Sequence, residues 1–365
     1  VEIVTANITG KKVVFNAIFV LLSAVIAGIA GILTAVLMFW MTRQKIAQDD
    51  YQKHGISERP ASRLGGLAVA FCALAVYFMY SSFQVDLKSV SGGLLASPIF
   101  YAVLIGMIGF CDDCIGHMSA RARLLLTSII FAACLMLNLE IVPSAIGIPG
   151  FDSLLQFKAL AFFLCLLTCL TLLNATNMAD GANGLMPLVF MGTFYAYAIL
   201  TGELAYFSIA IGLMVFTLFN VLSGRLFLGD VGSYGLGALA GLGAIKIVGE
   251  TEAVVWLFLC LAAYPVVDFF VSLTRRMSAG KSVFLPDNDH MHNLLYAFLR
   301  KFTASSLIAN SVSGLSISCL TTGTALIALS FWELDSSYWI VLFGFFVLLY
   351  FVAYKLLKEI NLRSD

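Results

Sequence analysis

The chain has 365 residues, 61% of them hydrophobic and 12% charged, with a formal net charge of zero. Soluble domains carry about twice that charge, and apolar runs of about 18 or more residues recur along the whole length, each able to cross a hydrocarbon layer of about 30 Å. A soluble globular domain is excluded, and no nucleic-acid partner is expected.

Only helices keep every backbone group satisfied in lipid at this density of apolar residues. The expected fold is an all-α polytopic membrane protein with about eleven transmembrane helices. They lie near 14–41, 64–80, 93–111, 124–139, 155–173, 185–201, 204–222, 233–249, 253–273, 307–331 and 337–357. The first run is too long for a cleavable signal segment and reads as a retained span. The chain opens on Val1, so an earlier or altered start is expected. No repeat or low-complexity tract divides it, and residues 1–365 are expected to form a single domain. Cys72, Cys134, Cys165, Cys169, Cys260 and Cys319 fall inside apolar runs and read as small buried hydrophobes, not a disulfide framework.

An odd number of spans places the termini on opposite sides, and the basic residues decide which. The loops near 42–63, 112–123, 174–184, 223–232 and 274–306, with the C-terminal end, hold sixteen of the 21 Lys and Arg residues. Lys11, Lys12, Lys88, Lys158 and Lys246 make up the rest. The first set is expected in the cytoplasm together with the C-terminus, and the N-terminus outside.

Unusual polar residues gather at the cytoplasmic ends of different spans. The first block is "GFCDDCIGHMSARARLLL", Gly109 to Leu126. An ionised Asp costs about 2.5–3.5 kcal/mol at a membrane helix centre and less at the interface. Asp112 and Asp113 also repel each other, so a metal, or Arg121 and Arg123 folded back, should offset them; a solvated, capped helix end is the plainer alternative. Cys111 and Cys114 have CxxC spacing, but the carboxylates between them argue against a redox or zinc role.

Next comes "NATNMADGANGL", Asn174 to Leu185. Asn174, Asn177 and Asp180 are spaced by three and lie close to one helix face. Gly181 and Gly184 then break the helix where a ligand can approach the backbone. Amide and carboxylate oxygens suit a hard cation such as Mg²⁺. Interhelical hydrogen bonding explains an Asn or two, but not six polar or flexible positions together.

"FLGDVGSYGLGALAG", Phe227 to Gly241, puts Asp230 just before a helix start whose N–H groups and dipole suit phosphate. Gly237 and Gly241 read as packing positions. The last block, "RRMSAGKSVFLPDNDHMHNLL", runs from Arg275 to Leu295. It carries Arg275, Arg276, Lys281, Asp287, Asp289, His290 and His292; soft ligands are too few for a closed zinc site, and anion binding fits better. Carboxylates and amides for Mg²⁺, with Arg and His for phosphate, are what phosphoryl transfer needs. Their common place at a lipid–water interface suits one soluble substrate and one with its phosphate at the membrane surface.

These four blocks, preceded by "RPASRLGGLAV" from Arg59, resemble the polyprenyl-phosphate N-acetylhexosamine-1-phosphate transferase family, glycosyltransferase family 4. They are most similar to its bacterial undecaprenyl-phosphate N-acetylglucosamine-1-phosphate branch and follow the same order to about Asn293. The resemblance implies transfer of a sugar 1-phosphate from a UDP-N-acetylhexosamine to a polyprenyl phosphate, with release of UMP. It implies Mg²⁺, with Mn²⁺ as a substitute, at the cytoplasmic side of the bacterial inner membrane. The product would be a lipid-linked sugar pyrophosphate that starts a cell-surface glycan such as an O-antigen. Asn177 and Asp230 would hold the metal. Asp112, Asp113 and Asp180 would be catalytic, one of the adjacent pair serving as base or nucleophile by the lipid phosphate. Arg123 would bind phosphate, with Asn174 also in substrate binding. Gly181, Ala182, Asn183 and Phe227 would line the uracil pocket, Phe227 by stacking, and His290 and His292 would contact the pyrophosphate or sugar. Glycine faces on the spans make a homodimer an expectation too.

Two departures touch the donor side. The family's His-Ile-His-His reads His290-Met291-His292-Asn293, and its Asp-Gly-x-Asp-Gly reads Asp180-Gly181-Ala182-Asn183-Gly184. The branch acting on a muramyl-peptide donor usually carries a His-His-His run, absent here. In a different class, a secondary transporter would place its ionisable groups near mid-bilayer on broken helices, whereas these lie at span ends. A CDP-alcohol phosphotransferase would need an Asp–Gly–Ala–Arg arrangement that the chain lacks.

Overall fold

Each apolar run folds as a helix or a helix pair. The computed structural model describes residues 2–8, 11–43, 47, 61–82, 95, 97–116, 118–148, 150–251, 254–282, 289–331 and 335–362. Lys45, Lys53, Arg59, Lys88, Asp287 and Arg363 lie outside the described residues. Strands β1 (Glu2–Ile8) and β2 (Lys11–Asn16) precede helices α1 (Ala17–Met41), α2 (Gly65–Ser82), α3 (Pro98–Ile115) and α4 (Ala120–Leu137). Then come α5 (Lys158–Ala179), α6 (Leu185–Thr201), α7 (Leu204–Ser223) and α8 (Gly229–Glu250). The chain ends with α9 (Val255–Leu261), α10 (Ala263–Ser278), α11 (Met291–Arg300), α12 (Ser306–Ser318), α13 (Thr324–Phe331) and α14 (Ser336–Leu362).

Among the described residues, eight helices are long and apolar enough to cross a bilayer, α12 and α13 counting as one. The bent pair α9–α10 is long and apolar enough only when its two helices are taken together, and α2 and α6 are apolar but shorter. The chain is a multi-pass membrane protein.

The all-α expectation is corrected at the N-terminus. Strands β1 and β2 pair antiparallel, with Thr5 opposite Val14 and Ile8 opposite Lys11. Ile3, Val4, Thr5, Val13 and Val14 are β-branched, which favours a pleated strand over a helix. The first helix therefore starts at Ala17, three residues after the expected 14.

The run expected as one helix over 253–273 is two, meeting at 79°. Pro265 has no N–H for the carbonyl four residues back, that of Leu261. The Thr322 hydroxyl donates to this carbonyl instead, at 2.8 Å. Thr322 sits on a π-helical turn, Cys319–Gly323, between α12 and α13. Cys319 is exposed on that turn, contrary to its reading as a buried hydrophobe. The other five cysteines of the apolar runs are buried, and all eight thiols are free, Cys111 and Cys114 included.

Helix α8 is the axis about which the others pack, and its glycines make it so. A methyl group at Gly237 would meet Thr176 of α5, and one at Gly243 would lie 2.8 Å from the Tyr197 ring of α6. Gly241 faces Cys169 of α5, so the packing role read for Gly237 and Gly241 holds. From α2, Gly66 lies against the backbone of Gly232, and from α3, Gly109 lies against that of Asp230. These close approaches bring the C-terminal ends of α3 and α5 to the start of α8.

Candidate active site

Neighbouring positions on a helix point about 100° apart, and the last turn of α3 uses this to send two carboxylates in different directions. Asp113 turns inward. Its side chain is fully buried, and Oδ2 accepts a hydrogen bond from the Val231 N–H at 3.0 Å. It therefore caps the first turn of α8 and meets the positive end of that helix. Asp113 Oδ1 is buried without a hydrogen bond, 3.9 Å from Arg63 Nη1. Asp230, expected just before a helix start, is in fact inside the first turn, because α8 begins at Gly229. Gly229 has φ +74°, and a side chain there would strike the Arg63 carbonyl. One of the N–H groups expected to face phosphate is thus already taken by Asp113.

Asp112 turns the other way. Its Oδ1 accepts from the Met118 N–H at 3.1 Å, and its Oδ2 from Arg123 Nη1 at 2.7 Å. The same Nη1 lies 3.4 Å from Asp230 Oδ2. Arg123 folds back as expected, whereas Arg121 is exposed. On the far side of Asp230, Asn177 Nδ2 of α5 donates to Oδ1 at 2.9 Å and to Ser233 Oγ at 2.9 Å. Four helices thus meet through Asp112, Arg123, Asn177 and Asp230. Asn174 does not join them: its amide donates to the Leu170 carbonyl of its own helix at 2.7 Å.

Helix α5 ends as expected, and Asp180 is its C-cap. Burial, and then the carboxylates of Asp230 and Asp113, push the Asp180 carboxyl up to about 8, against a smaller pull from Arg63.

The turn that follows is fixed by amides of other helices. The Asn183 N–H donates to Asn310 Oδ1 of α12 and the Gly184 N–H to Asn220 Oδ1 of α7, both at 2.7 Å. Asn220 Nδ2 donates to the Leu226 carbonyl at 2.8 Å, tying this turn to the segment before α8. Ala182 and Asn183 are buried and Gly181 is exposed. Phe227 is held in a short strand-like pairing: its N–H donates to the Ser62 carbonyl at 2.8 Å and its carbonyl accepts from Gly65 at 2.9 Å. Its ring is half-buried.

The two histidines close the site. His292 Nε2 abuts Gly181, so closely that a Cβ there would collide with it. His292 Nδ1 is 2.7 Å from the Tyr264 hydroxyl, and burial pushes the ring down to about 4, keeping it neutral. His290 stacks on it, the rings 5.5 Å apart and 7° from parallel, with Nδ1 2.6 Å from Asp268 Oδ2. Asp268, Tyr264, Ser233 and Asn220 join the site without having been expected there. Asp268 left a signal, since a carboxylate inside an apolar run marks a site by default. Ser233 and Asn220 left none, because single small polar residues are ordinary in membrane helices.

Among the described residues no three His, Cys, Asp or Glu side chains form a ready-made metal cage. Mg²⁺ seldom asks for one: it keeps waters and takes one or two carboxylates plus substrate phosphates. Asp230, with the side-chain amide of Asn177 against it at 2.9 Å, is a carboxylate–amide pair that fits such a partial site.

Residues 95–248 match the model of glycosyl transferase family 4. This stretch covers Asp112 through Asp230 and stops short of His290 and His292. The chain is 26% identical to the decaprenyl-phosphate N-acetylglucosaminephosphotransferase of Mycobacterium leprae over 268 residues, 65% of this chain and 66% of that protein, just under two thirds. It is 23% identical to the probable undecaprenyl-phosphate N-acetylglucosaminyl 1-phosphate transferase of Bacillus subtilis over 344 residues, 90% of each. It is also 26% identical to the phospho-N-acetylmuramoyl-pentapeptide-transferase of Dinoroseobacter shibae over 283 residues, 68% of this chain and 76% of that protein.

Proposed function

We infer that this chain, which belongs to glycosyl transferase family 4, moves an N-acetylhexosamine 1-phosphate from a UDP-sugar to a polyprenyl phosphate, releasing UMP. The observation that carries this reading is the meeting of Asp112, Arg123, Asn177 and Asp230, from four helices, through hydrogen bonds of 2.7–3.4 Å. The names of the mycobacterial and Bacillus relatives support the same acceptor class and sugar. The product is a lipid-linked sugar pyrophosphate from which a cell-surface glycan is built.

Helices α2 and α6 and the bent pair complete eleven crossings, with the N-terminus outside and the site and C-terminus in the cytoplasm of a bacterial inner membrane. The bias of the basic residues supports that orientation.

In the reaction, an oxygen of the acceptor phosphate bonds to the sugar-bearing phosphorus while the bridging P–O bond to UMP breaks. Mg²⁺ held by Asp230 and Asn177 would neutralise charge on the donor pyrophosphate. Arg123, resting between Asp112 and Asp230, is the cation placed to move onto a phosphate, and its departure frees Asp112 to face the acceptor. Asp113 keeps the start of α8, and so Asp230, in place. Asp180 holds a proton at neutral pH that it can pass to the departing phosphate. Phe227 and Gly181 offer a half-buried ring and an open backbone to the uracil; Asn183, fully engaged by α7 and α12, shapes that turn from behind.

A second donor, a muramoyl-pentapeptide sugar, is favoured by relatives of the same 26% identity and opposed by the absent His-His-His run. UMP release by the purified protein with polyprenyl phosphate and a panel of UDP-sugars tests both. Turnover of UDP-N-acetylglucosamine or a close epimer is expected, and turnover of the muramoyl-pentapeptide donor alone would overturn the choice. No UMP from any donor would overturn the transferase.

A further inference from the structure

Asp268 is a carboxylate buried within the apolar helix α10, 2% exposed, and the reaction scheme above gives it no task. Burying it is costly unless every lone pair is used. Its Oδ2 meets His290 Nδ1 at 2.6 Å, and its Oδ1 accepts from the Tyr350 hydroxyl at 2.7 Å and the Met291 N–H at 3.1 Å. A purely structural tie between α10, α11 and α14 needs only a neutral acceptor. A carboxylate adds one thing a neutral group does not: it holds the proton on the facing nitrogen of an imidazole.

The helix geometry gives that proton a consequence. Tyr264 and Asp268 are four residues apart on α10, hence on one face, in the first turns after the 79° bend. Each binds the Nδ1 of one histidine, and the two rings are parallel. Both Nε2 atoms therefore point away from α10. That of His292 lies against Gly181, beside Asp180. That of His290 makes no hydrogen bond to any described residue. The partners differ in kind: a phenol behind His292, a carboxylate behind His290.

We propose that Asp268 is a positioning residue for the transfer: it fixes His290 with its proton on Nδ1 and turns Nε2 toward the phosphates of the bound donor. The catalytic part of this proposal rests on the transferase reading; the pairing itself does not. Without Asp268 the His290 ring is free to carry its proton on the other nitrogen or to rotate. Ground-state binding of the UDP-sugar, spread over many contacts, changes little. The step in which charge develops on the leaving phosphate is the one that suffers.

The test joins spectroscopy to kinetics on the full chain in detergent. In ¹⁵N-histidine spectra, assigned with His290→Gln, His290 is expected to show a protonated Nδ1 with a strongly deshielded proton, lost in Asp268→Asn. That variant keeps an acceptor for Met291 and Tyr350, and its kcat for UMP release is expected to fall about 10–100-fold with KM for the UDP-sugar within about twofold. In the His290→Gln background the same change is expected to cost nothing further. Tyr350→Phe, which removes a hydrogen bond from the same carboxylate without touching His290, is expected to keep kcat within about twofold. An unprotonated His290 Nδ1, a wild-type kcat in Asp268→Asn, or additive losses in the double variant would overturn the proposal. An Asp268-dependent Nδ1 proton in a protein that releases no UMP would support the pairing and overturn the transferase reading instead.

Discussion

Asp112 and Asp113 are adjacent in sequence and opposite in circumstance. Asp112 is half-buried and paired with an arginine that also reaches Asp230; Asp113 is sealed against the start of α8. Asp112→Asn is therefore expected to lower UMP release about 100-fold or more with an unchanged melting temperature. Asp113→Ala removes a helix cap and is expected to cost about 0.5–2 kcal/mol of stability, read as a lower melting temperature. Equal losses of activity with unchanged melting in both would contradict this division. Asp180 adds a pH dependence. Its carboxyl is raised to about 8, so the proton it passes to the departing phosphate is present below that pH and lost above it. UMP release is expected to fall about fivefold from pH 8 to pH 9, and Asp180→Asn should flatten the slope. A slope that survives in Asp180→Asn would move the proton to another group.

At the scale of the element, the bend between α9 and α10 is what delivers Tyr264 and Asp268 to the histidines. Its support is one hydroxyl, Thr322, on the carbonyl that Pro265 cannot reach. Thr322→Val keeps the shape and strands that carbonyl, and is expected to destabilise the fold by about 1–3 kcal/mol; thermal melting at the wild-type midpoint would show the bend to be held by packing alone. This bend also shows where reading the sequence ends. Apolar runs disclose that a helix exists, because lipid demands it, and every expected run holds one. Pro265 stands in plain sight, but its bend depends on Thr322, some sixty residues away, and on a π turn with no local signature. The N-terminal hairpin escapes such a reading for the opposite reason: Val13, Val14 and Phe15 lead almost directly into the apolar run, and hydrophobicity alone does not mark the change of period. In the site, Asp112, Asn177 and Asp230 were legible because charge and amide clusters are rare in spans. The capping role of Asp113 was not, since it depends on the register of α3 against α8, which Gly109 and Gly229 set through space.

For the whole molecule, the glycine-rich α8 acts as a mast: α2, α3, α5 and α6 close onto it, and this closeness brings side chains from four helices to one point. A single substitution at that point is accordingly the sharpest probe of the whole. Asp230 accepts from Asn177 and pairs with Arg123, and its backbone packs on Gly109. The decisive measurement is UMP release by the purified Asp230→Ala protein from a UDP-N-acetylhexosamine and undecaprenyl phosphate, with and without Mg²⁺. Wild type is expected to need the cation, and the variant to fall by at least about 100-fold while still melting cooperatively. Mg²⁺-dependent release at the wild-type rate from Asp230→Ala would contradict a site centred on this carboxylate.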